Sequence, residues 1–166
     1  MSNSIYVAIP LMALLAIAQT AILPRVPVLG MVPQLLFLVA LAWGLLRGLE
    51  QGLLWAFIAG IFVDLFSLTP IGLSSLAYML AVTPAILLQG VLPPRRYLVA
   101  GLAAILATII YLLVYFIALR FFDLGMSIDT LLEMLPVALL HGILIVPIYA
   151  LMQAILNLLQ PRRVEL

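Results

Sequence analysis

Two ionisable side chains, Asp64 and His141, lie inside apolar runs that are long enough to enter a membrane. A charged group in the middle of a bilayer costs at least ~2.5–3.5 kcal/mol, so each residue needs a structural or chemical reason. The carboxylate either locks a helix corner or forms a ligand or proton site. The imidazole is either neutral and hydrogen-bonded within the protein or directed towards a cavity or a partner. We favour the structural interpretation of both.

Ser74 and His141 together suggest a nucleophile and its base, the pair used by rhomboid intramembrane proteases. The rhomboid pattern has Gly after the serine, where this chain has Ser75, and it has polar oxyanion donors for which the chain offers no convincing match. An aspartyl intramembrane protease needs two facing carboxylates, and Asp64 has no second one. The chain contains no cysteine, which excludes thiol chemistry. We therefore expect no enzyme, no metal site and no cofactor.

The composition identifies the solvent around these residues. Of the 166 residues, 67% are hydrophobic and 8% are charged, whereas soluble domains carry about 25% charged residues. The apolar runs are continuous rather than alternating, which favours helices over barrel strands. The arginines form no basic run, so nucleic acid is not an expected partner. The sequence predicts an all-α integral membrane protein rather than a soluble enzyme or a disordered chain.

The chain contains six apolar runs, which predict a single membrane domain over residues 1–166. A helix needs ~20 residues to cross ~30 Å of hydrocarbon. The predicted spans are residues 5–23, 32–46, 52–66, 70–92, 97–119 and 131–159. The second and third are short, and they either thin the bilayer or enter it together as a hairpin. No basic residue precedes the first run, so a retained span is favoured over a cleaved signal peptide.

Several residues predict where helices begin or bend. Thr69 is expected to cap the fourth span, with Pro70 at its first helical position. Thr130 and Glu133 have the spacing of a capping box at the start of the sixth span. That span is longer than a bilayer requires, so it must tilt, begin outside the hydrocarbon or kink at a proline, either Pro136 or Pro147.

The arginines predict the orientation. With six spans, one side of the membrane carries five of them: Arg47, Arg95, Arg96, Arg162 and Arg163. The opposite side carries Arg25 and Arg120. Since cytoplasmic loops carry the excess of basic residues, we expect both termini in the cytoplasm.

A tight corner between the third and fourth spans is predicted around Asp64. Gly52, Ala56, Gly60 and Asp64 recur every four residues, which gives a smooth stripe along which another helix can approach closely. The carboxylate is expected to accept hydrogen bonds from free amides at the start of the fourth span. The candidate donors are the amides near Pro70–Gly72 and the hydroxyl groups of Ser67, Thr69 and Ser74.

The segment at this corner, residues 64–73, resembles the signature of the rod shape-determining protein MreD family, Asp-Leu-x-Ser-x-x-Pro-x-Gly-Leu. The resemblance extends upstream through residues 33–36, 47–51 and 52–60. The family often has Asp where this chain has Gln34, and His where it has Ser74. These departures weaken a ligand role at the two positions and leave the corner motif intact.

The resemblance implies a six-span bundle in the bacterial inner membrane, similar in fold to the S-components of energy-coupling-factor vitamin transporters. It also implies a non-enzymatic scaffold subunit of the cell-wall elongation machinery. The implied partners are membrane lipid, an MreC-like single-span protein, RodA with a penicillin-binding protein, and indirectly MreB. The alternative is a substrate- or lipid-binding subunit of a transporter, with an outward cavity near Asp64 and His141.

Overall fold

The computed structural model describes residues 2–25, 27–28, 30–67, 69–91, 96–121 and 127–159. In these residues the regular structure is helical, as predicted for an all-α protein. The helices are α1 Ser2–Ala21, α2 Leu35–Arg47, α3 Leu49–Leu65, α4 Leu73–Gln89, α5 Arg96–Phe121, α6 Ile128–Met134 and α7 Pro136–Leu159. A short 3₁₀ turn, Leu23–Arg25, follows α1.

Three stretches of the described chain are long and apolar enough to cross a membrane: Ile5–Arg25, Arg96–Phe121 and Ile128–Leu158. Helices α2 and α4 are apolar but shorter, with 13 and 17 residues. At 1.5 Å per residue they reach about 20 Å and 26 Å, less than the ~30 Å of the hydrocarbon core. The expected six-span count therefore stays a prediction for α2, α3 and α4.

The short helix α2 lies in the centre of the bundle. Every residue from Leu36 to Leu45 is buried, and α2 contacts α1, α3, α4, α5 and α7. A helix that is apolar on all sides is one that other helices surround. The expectation that this short helix either thins the bilayer or enters it as part of a hairpin stays a prediction, and its burial among five other helices means that its length need not match the membrane.

Glycines allow the central helices to approach closely. A Cβ atom added to Gly44 of α2 would lie 2.8 Å from the Cα of Gly52 in α3, and the same holds in reverse. Nearby, the Trp43 and Trp55 rings stack with centroids 4.5 Å apart. Gly60 further along α3 faces the backbone of α4 in the same way. The predicted small-residue stripe thus packs inside the molecule, against α2 and α4.

The structure corrects three predicted helix starts. Helix α4 begins at Leu73 with Gly72 as its N-cap, so Thr69 and Pro70 do not have their expected positions. Helix α6 is capped by Ser127, whose hydroxyl accepts from the Thr130 amide at 3.1 Å, in place of the expected Thr130 cap. Gly72 therefore occupies the N-cap position of α4, and the Ser127 hydroxyl caps α6.

The third correction concerns the start of the third predicted span, which leaves residues 47–51 as the connection between the second and third spans. The break is only Gly48, which has φ +91°, and α3 already begins at Leu49. The left-handed conformation is easily adopted by glycine, so one residue suffices to reverse the chain. The long C-terminal stretch is divided at Leu135, directly before Pro136, which is one of the two predicted kink sites.

Side chains from the C-terminal ends of α2, α4 and α7 and from the start of α5 line one crevice at the same end of the bundle. Arg47 and Arg96 are exposed at these helix termini. Arg95, Arg162 and Arg163, which complete the predicted cytoplasmic set, lie outside the described residues. The two described members of this set thus lie at the same end of the bundle, and their cytoplasmic side stays a prediction.

Candidate functional site

The Asp64 carboxylate joins the end of α3 to the start of α4. It lies in the last turn of α3 and is only 2% exposed. The Gly72 amide donates to Oδ2 at 2.7 Å, and the Ser74 amide lies 3.2 Å from both oxygens. The Thr69 hydroxyl donates to Oδ1 at 3.3 Å. The contact expected between this carboxylate and the free amides of the next helix is therefore present.

This arrangement caps α4 from a neighbouring helix. The N-cap position is Gly72, which has no side chain to satisfy the first amides of the helix. Asp64 supplies the acceptor that an Asp or Ser at the cap would otherwise provide, and its charge faces the positive end of the α4 dipole. Gly72 has φ +97°, a conformation that L-residues rarely adopt. The corner thus depends on both residues.

The other motif residues support the same corner. The hydroxyl oxygens of Ser67 and Thr69 lie within hydrogen-bond distance of each other, so one of the two hydroxyl protons is shared between this contact and Asp64. The Ser67 hydroxyl oxygen lies 3.4 Å from the Asp64 carbonyl oxygen. The carbonyl of Pro70 accepts from the Leu73 amide at 3.1 Å, which closes the turn into α4. All of these contacts lie within the loop or bind it to Asp64, so the motif residues act as structural parts of the corner.

Along the same pair of helices, α3 and α4 are in direct backbone contact. A Cβ atom on Gly60 would overlap the backbone of Ser74 and Ser75. The Ser75 hydroxyl donates to the Phe57 carbonyl at 2.9 Å. Ala56, on the same stripe, is fully buried. The stripe therefore serves α3–α4 packing.

A second polar centre surrounds His141 of α7, which is fully buried. Its Nε2 accepts the backbone amide of Gln34, at 3.0 Å, and its Nδ1 lies 2.9 Å from the Thr108 hydroxyl. An acceptor at Nε2 requires the proton of the neutral ring to be on Nδ1. Thr108 then accepts from Nδ1 and donates its own proton to the Ala104 carbonyl at 2.7 Å. Both ring nitrogens are thus satisfied.

Gln34 extends this centre to α4 and α5. The Tyr78 hydroxyl donates to its side-chain oxygen at 2.7 Å, and its side-chain nitrogen donates to the Tyr111 hydroxyl at 3.0 Å. The Phe37 ring packs against Tyr78, Tyr111 and His141, with centroids 4.9, 5.6 and 6.2 Å apart. One residue before α2 therefore connects α4, α5 and α7.

Asp64 and His141 both accept backbone amides at the start of a short helix that belongs to another part of the chain. Neither α2 nor α4 has a side-chain cap of its own. The Gln34 amide at the α2 cap is accepted by His141, and the Leu36 amide lies 3.4 Å from the Gln19 side-chain oxygen of α1. In a bilayer an unsatisfied backbone group costs several kcal/mol. His141 and Asp64 each remove that cost from another helix.

A family model described as the rod shape-determining protein MreD matches residues 1–159. The chain belongs to the MreD family. The resemblance found at the Asp64 corner is thereby confirmed over nearly the whole chain. No curated protein and no solved structure matched. The expected similarity to the S-components of energy-coupling-factor transporters therefore stays a prediction.

As an MreD family member, the chain is a rod shape-determining membrane protein. Its polar interior is not arranged as the serine–histidine pair weighed above. The buried Ser74 hydroxyl has no hydrogen-bond partner among the described residues, and both nitrogens of His141 are occupied by Gln34 and Thr108. The structure does not bring the candidate nucleophile and base together.

Sequence reasoning missed Gln34, Tyr78, Tyr111 and Thr108 as parts of the MreD interior. Gln34 entered only as a departure from the family pattern. The available signal was a polar residue at the start of an apolar helix, together with hydroxyl groups within apolar runs. That signal does not say which of these residues are in contact, because the contacts depend on how α2, α4, α5 and α7 are arranged.

We expect Thr108→Val to lower the melting temperature of the detergent-solubilised protein by about 2–8 °C. The substitution leaves Nδ1–H of His141 buried without an acceptor, which costs about 1–2 kcal/mol, and a chain of this size loses about 2–4 °C per kcal/mol. Thr83→Val is the control, because the Thr83 hydroxyl donates to the Met79 carbonyl at 2.8 Å in the same local geometry. If both variants lower the melting temperature equally, the effect comes from losing the hydroxyl bond to the carbonyl four residues earlier, and not from His141.

Proposed function

We propose that this chain is a non-enzymatic scaffold subunit of the bacterial cell-wall elongation machinery, and that its helices hold the single span of an MreC-like protein. The observation that carries the proposal is the MreD family match over residues 1–159. RodA, a penicillin-binding protein and, indirectly, MreB would be connected to it through that complex. The site of action would be the bacterial inner membrane.

The use of the buried polar residues supports a structural role. Asp64 accepts from Gly72, Ser74 and Thr69, and His141 is bonded at both nitrogens. Neither residue has a free atom directed at a substrate. A rigid interior of this kind holds the outer helix faces in fixed positions, which is what helix–helix recognition in a bilayer needs.

The exposed apolar surface of the helices supports recognition of another protein's membrane span. Large apolar side chains are exposed on several helices, including Ile17 of α1, Leu80 of α4 and Leu139 of α7. In a membrane such faces meet lipid tails or the span of another protein, and van der Waals packing determines which contact is preferred. We place all six spans in the bilayer with both termini in the cytoplasm, on the strength of the arginine distribution.

The transporter alternative has no specific observation in its favour. It required an outward cavity to which Asp64 and His141 offer ligand atoms. His141 is fully buried, and its two nitrogens are already occupied. The oxygens of Asp64 are directed at the amides of α4.

The proposal is tested by purifying the tagged chain from its own membranes in mild detergent and identifying the proteins retained through size exclusion. We expect an MreC-like protein to be retained. A photo-reactive residue placed in turn at Ile17, Leu80 and Leu139 is expected to crosslink to that protein from one face of the bundle.

The faces that do not bind the partner are the internal control, since their positions should crosslink only to lipid. Uniform crosslinking from all three positions would indicate random collision. If the purified chain never retains an MreC-like protein, and if its deletion leaves rod shape intact, the proposal is wrong.

A further inference from the structure

A polar crevice of about 290 Å³ opens at the end of the bundle where α5 begins. Its polar side chains come from three helices: Gln89, Arg96, Tyr149, Gln153 and Asn157. None of these residues takes part in the Asp64 or His141 centre. These hydrogen-bonding side chains share one concave surface, where they can contact a polar ligand.

The charge of the crevice favours an anion. Among the residues that the structure describes, Arg96 is the only charged one that lines the crevice, and no ion pair or hydrogen bond in that part of the chain engages its guanidinium. The amides of Gln89, Gln153 and Asn157 add hydrogen-bond donors beside it. A guanidinium presents its N–H groups as a planar fork that matches the oxygens of a phosphate group.

An apolar groove of about 670 Å³ lies between α5 and α7, two of the helices that line the crevice, and it favours a lipid over free phosphate as the anion. Tyr97 lines the groove, and its ring packs edge-on against Tyr149 of the crevice, with centroids 6.1 Å apart. Gly101 and Gly142 line the groove and let α5 and α7 approach closely, since a Cβ on Gly101 would lie 3.2 Å from the Gly142 carbonyl oxygen. A polar crevice next to an apolar groove matches a phospholipid.

We propose that the α5–α7 face binds one anionic phospholipid, with its phosphate against Arg96 and an acyl chain along the groove. The predicted orientation places this end of the bundle at the cytoplasmic surface, where anionic headgroups attract basic residues. The lipid would bridge α5 and α7 at their shared end. The inference concerns a lipid site and stands independently of any partner protein.

Native mass spectrometry of the full-length protein in detergent, titrated with phosphatidylglycerol, tests the site. We expect one phosphatidylglycerol to remain bound, and Arg96→Gln to weaken its binding by about tenfold or more, the usual effect of losing a charge-assisted contact. Leu102→Trp, at an exposed groove position, should weaken binding while leaving Arg96 in place. Neither residue is buried, so both variants should fold.

Arg47→Gln is the matched control, because Arg47 is an exposed arginine at the same end of the bundle but outside the crevice. It should leave the affinity unchanged. Equal losses in Arg96→Gln and Arg47→Gln would overturn the proposal, because the attraction would then be general surface charge. Full displacement of the lipid by inorganic phosphate would also overturn it, since the site would then bind free phosphate. An unchanged affinity in Leu102→Trp would remove the groove from the site and overturn the lipid assignment.

Discussion

Asp64→Ala is expected to lower the melting temperature of the detergent-solubilised protein by about 5–15 °C and to impair its assembly with partners. The substitution leaves the amides of Gly72 and Ser74 without their acceptor. An unsatisfied buried donor costs about 1–3 kcal/mol, so two cost about 2–6 kcal/mol, and a chain of this size loses about 2–4 °C per kcal/mol, so the expected fall is the central part of the resulting range. Thermal unfolding followed by intrinsic tryptophan fluorescence measures the change.

Two variants separate the corner from general charge effects. Asp64→Asn keeps one acceptor oxygen in the same shape and should give an intermediate fall. Glu50→Gln removes an exposed carboxylate from the first turn of the same helix, α3, and should leave the melting temperature nearly unchanged. Unchanged stability in Asp64→Ala together with lost function would contradict the structural role and point to a direct ligand role.

The Asp64 corner was predictable because its parts are close in sequence. The seven residues between Asp64 and Gly72 contain the break between two apolar runs, so the carboxylate had to lie near the start of the next helix. The cap itself was not predictable in the same way. Local rules assign it to Thr69, yet a tertiary acceptor on α3 allowed Gly72 to take the cap position. The hydroxyl of Thr69 then contacts the carboxylate.

The His141 centre was not predictable because its parts are far apart in sequence. The amide of Gln34 and the ring of His141 are separated by 107 positions. An apolar run indicates a helix, but where lipid and protein are equally apolar it does not say which faces meet. The central place of α2 is the example: its apolar surface fits both lipid contact and burial, and only the packing of five neighbours decides.

The Asp64 and His141 centres both exist because a short helix begins inside the bundle. Helices α2 and α4 are short and begin within the bundle, so their first amides need acceptors where water is scarce. Asp64 and His141 supply those acceptors from α3 and α7. An ionisable residue in a span is often a functional site, and here the hydrogen-bond geometry gives both residues a structural purpose. Under the proposed function, recognition of a partner would then fall to the outer faces.

Gly60→Ala is expected to separate α3 from α4 and to lower the melting temperature by about 5–10 °C. The added Cβ would lie 2.7 Å from the Ser74 carbonyl carbon and would overlap the backbone of Ser75. Backbone cannot turn aside as a flexible side chain can, so the helices must separate. Overpacking of a tight contact costs about 1–3 kcal/mol, occasionally more. The separation would also lengthen the contact between Asp64 and the Ser74 amide, which is why we expect a result in the upper part of that range.

Gly90→Ala is the matched control, because Gly90 has ordinary helical geometry with φ −71° and an added Cβ would meet its nearest neighbour at 3.5 Å. That variant should be as stable as the parent protein. Combining Gly60→Ala with Asp64→Ala adds a sharper test, since both changes act on the same pair of helices. If the contact at Gly60 holds the carboxylate in place, the double variant should lose less than the sum of the two single losses. Full additivity would show that the stripe and the corner stabilise the α3–α4 pair independently.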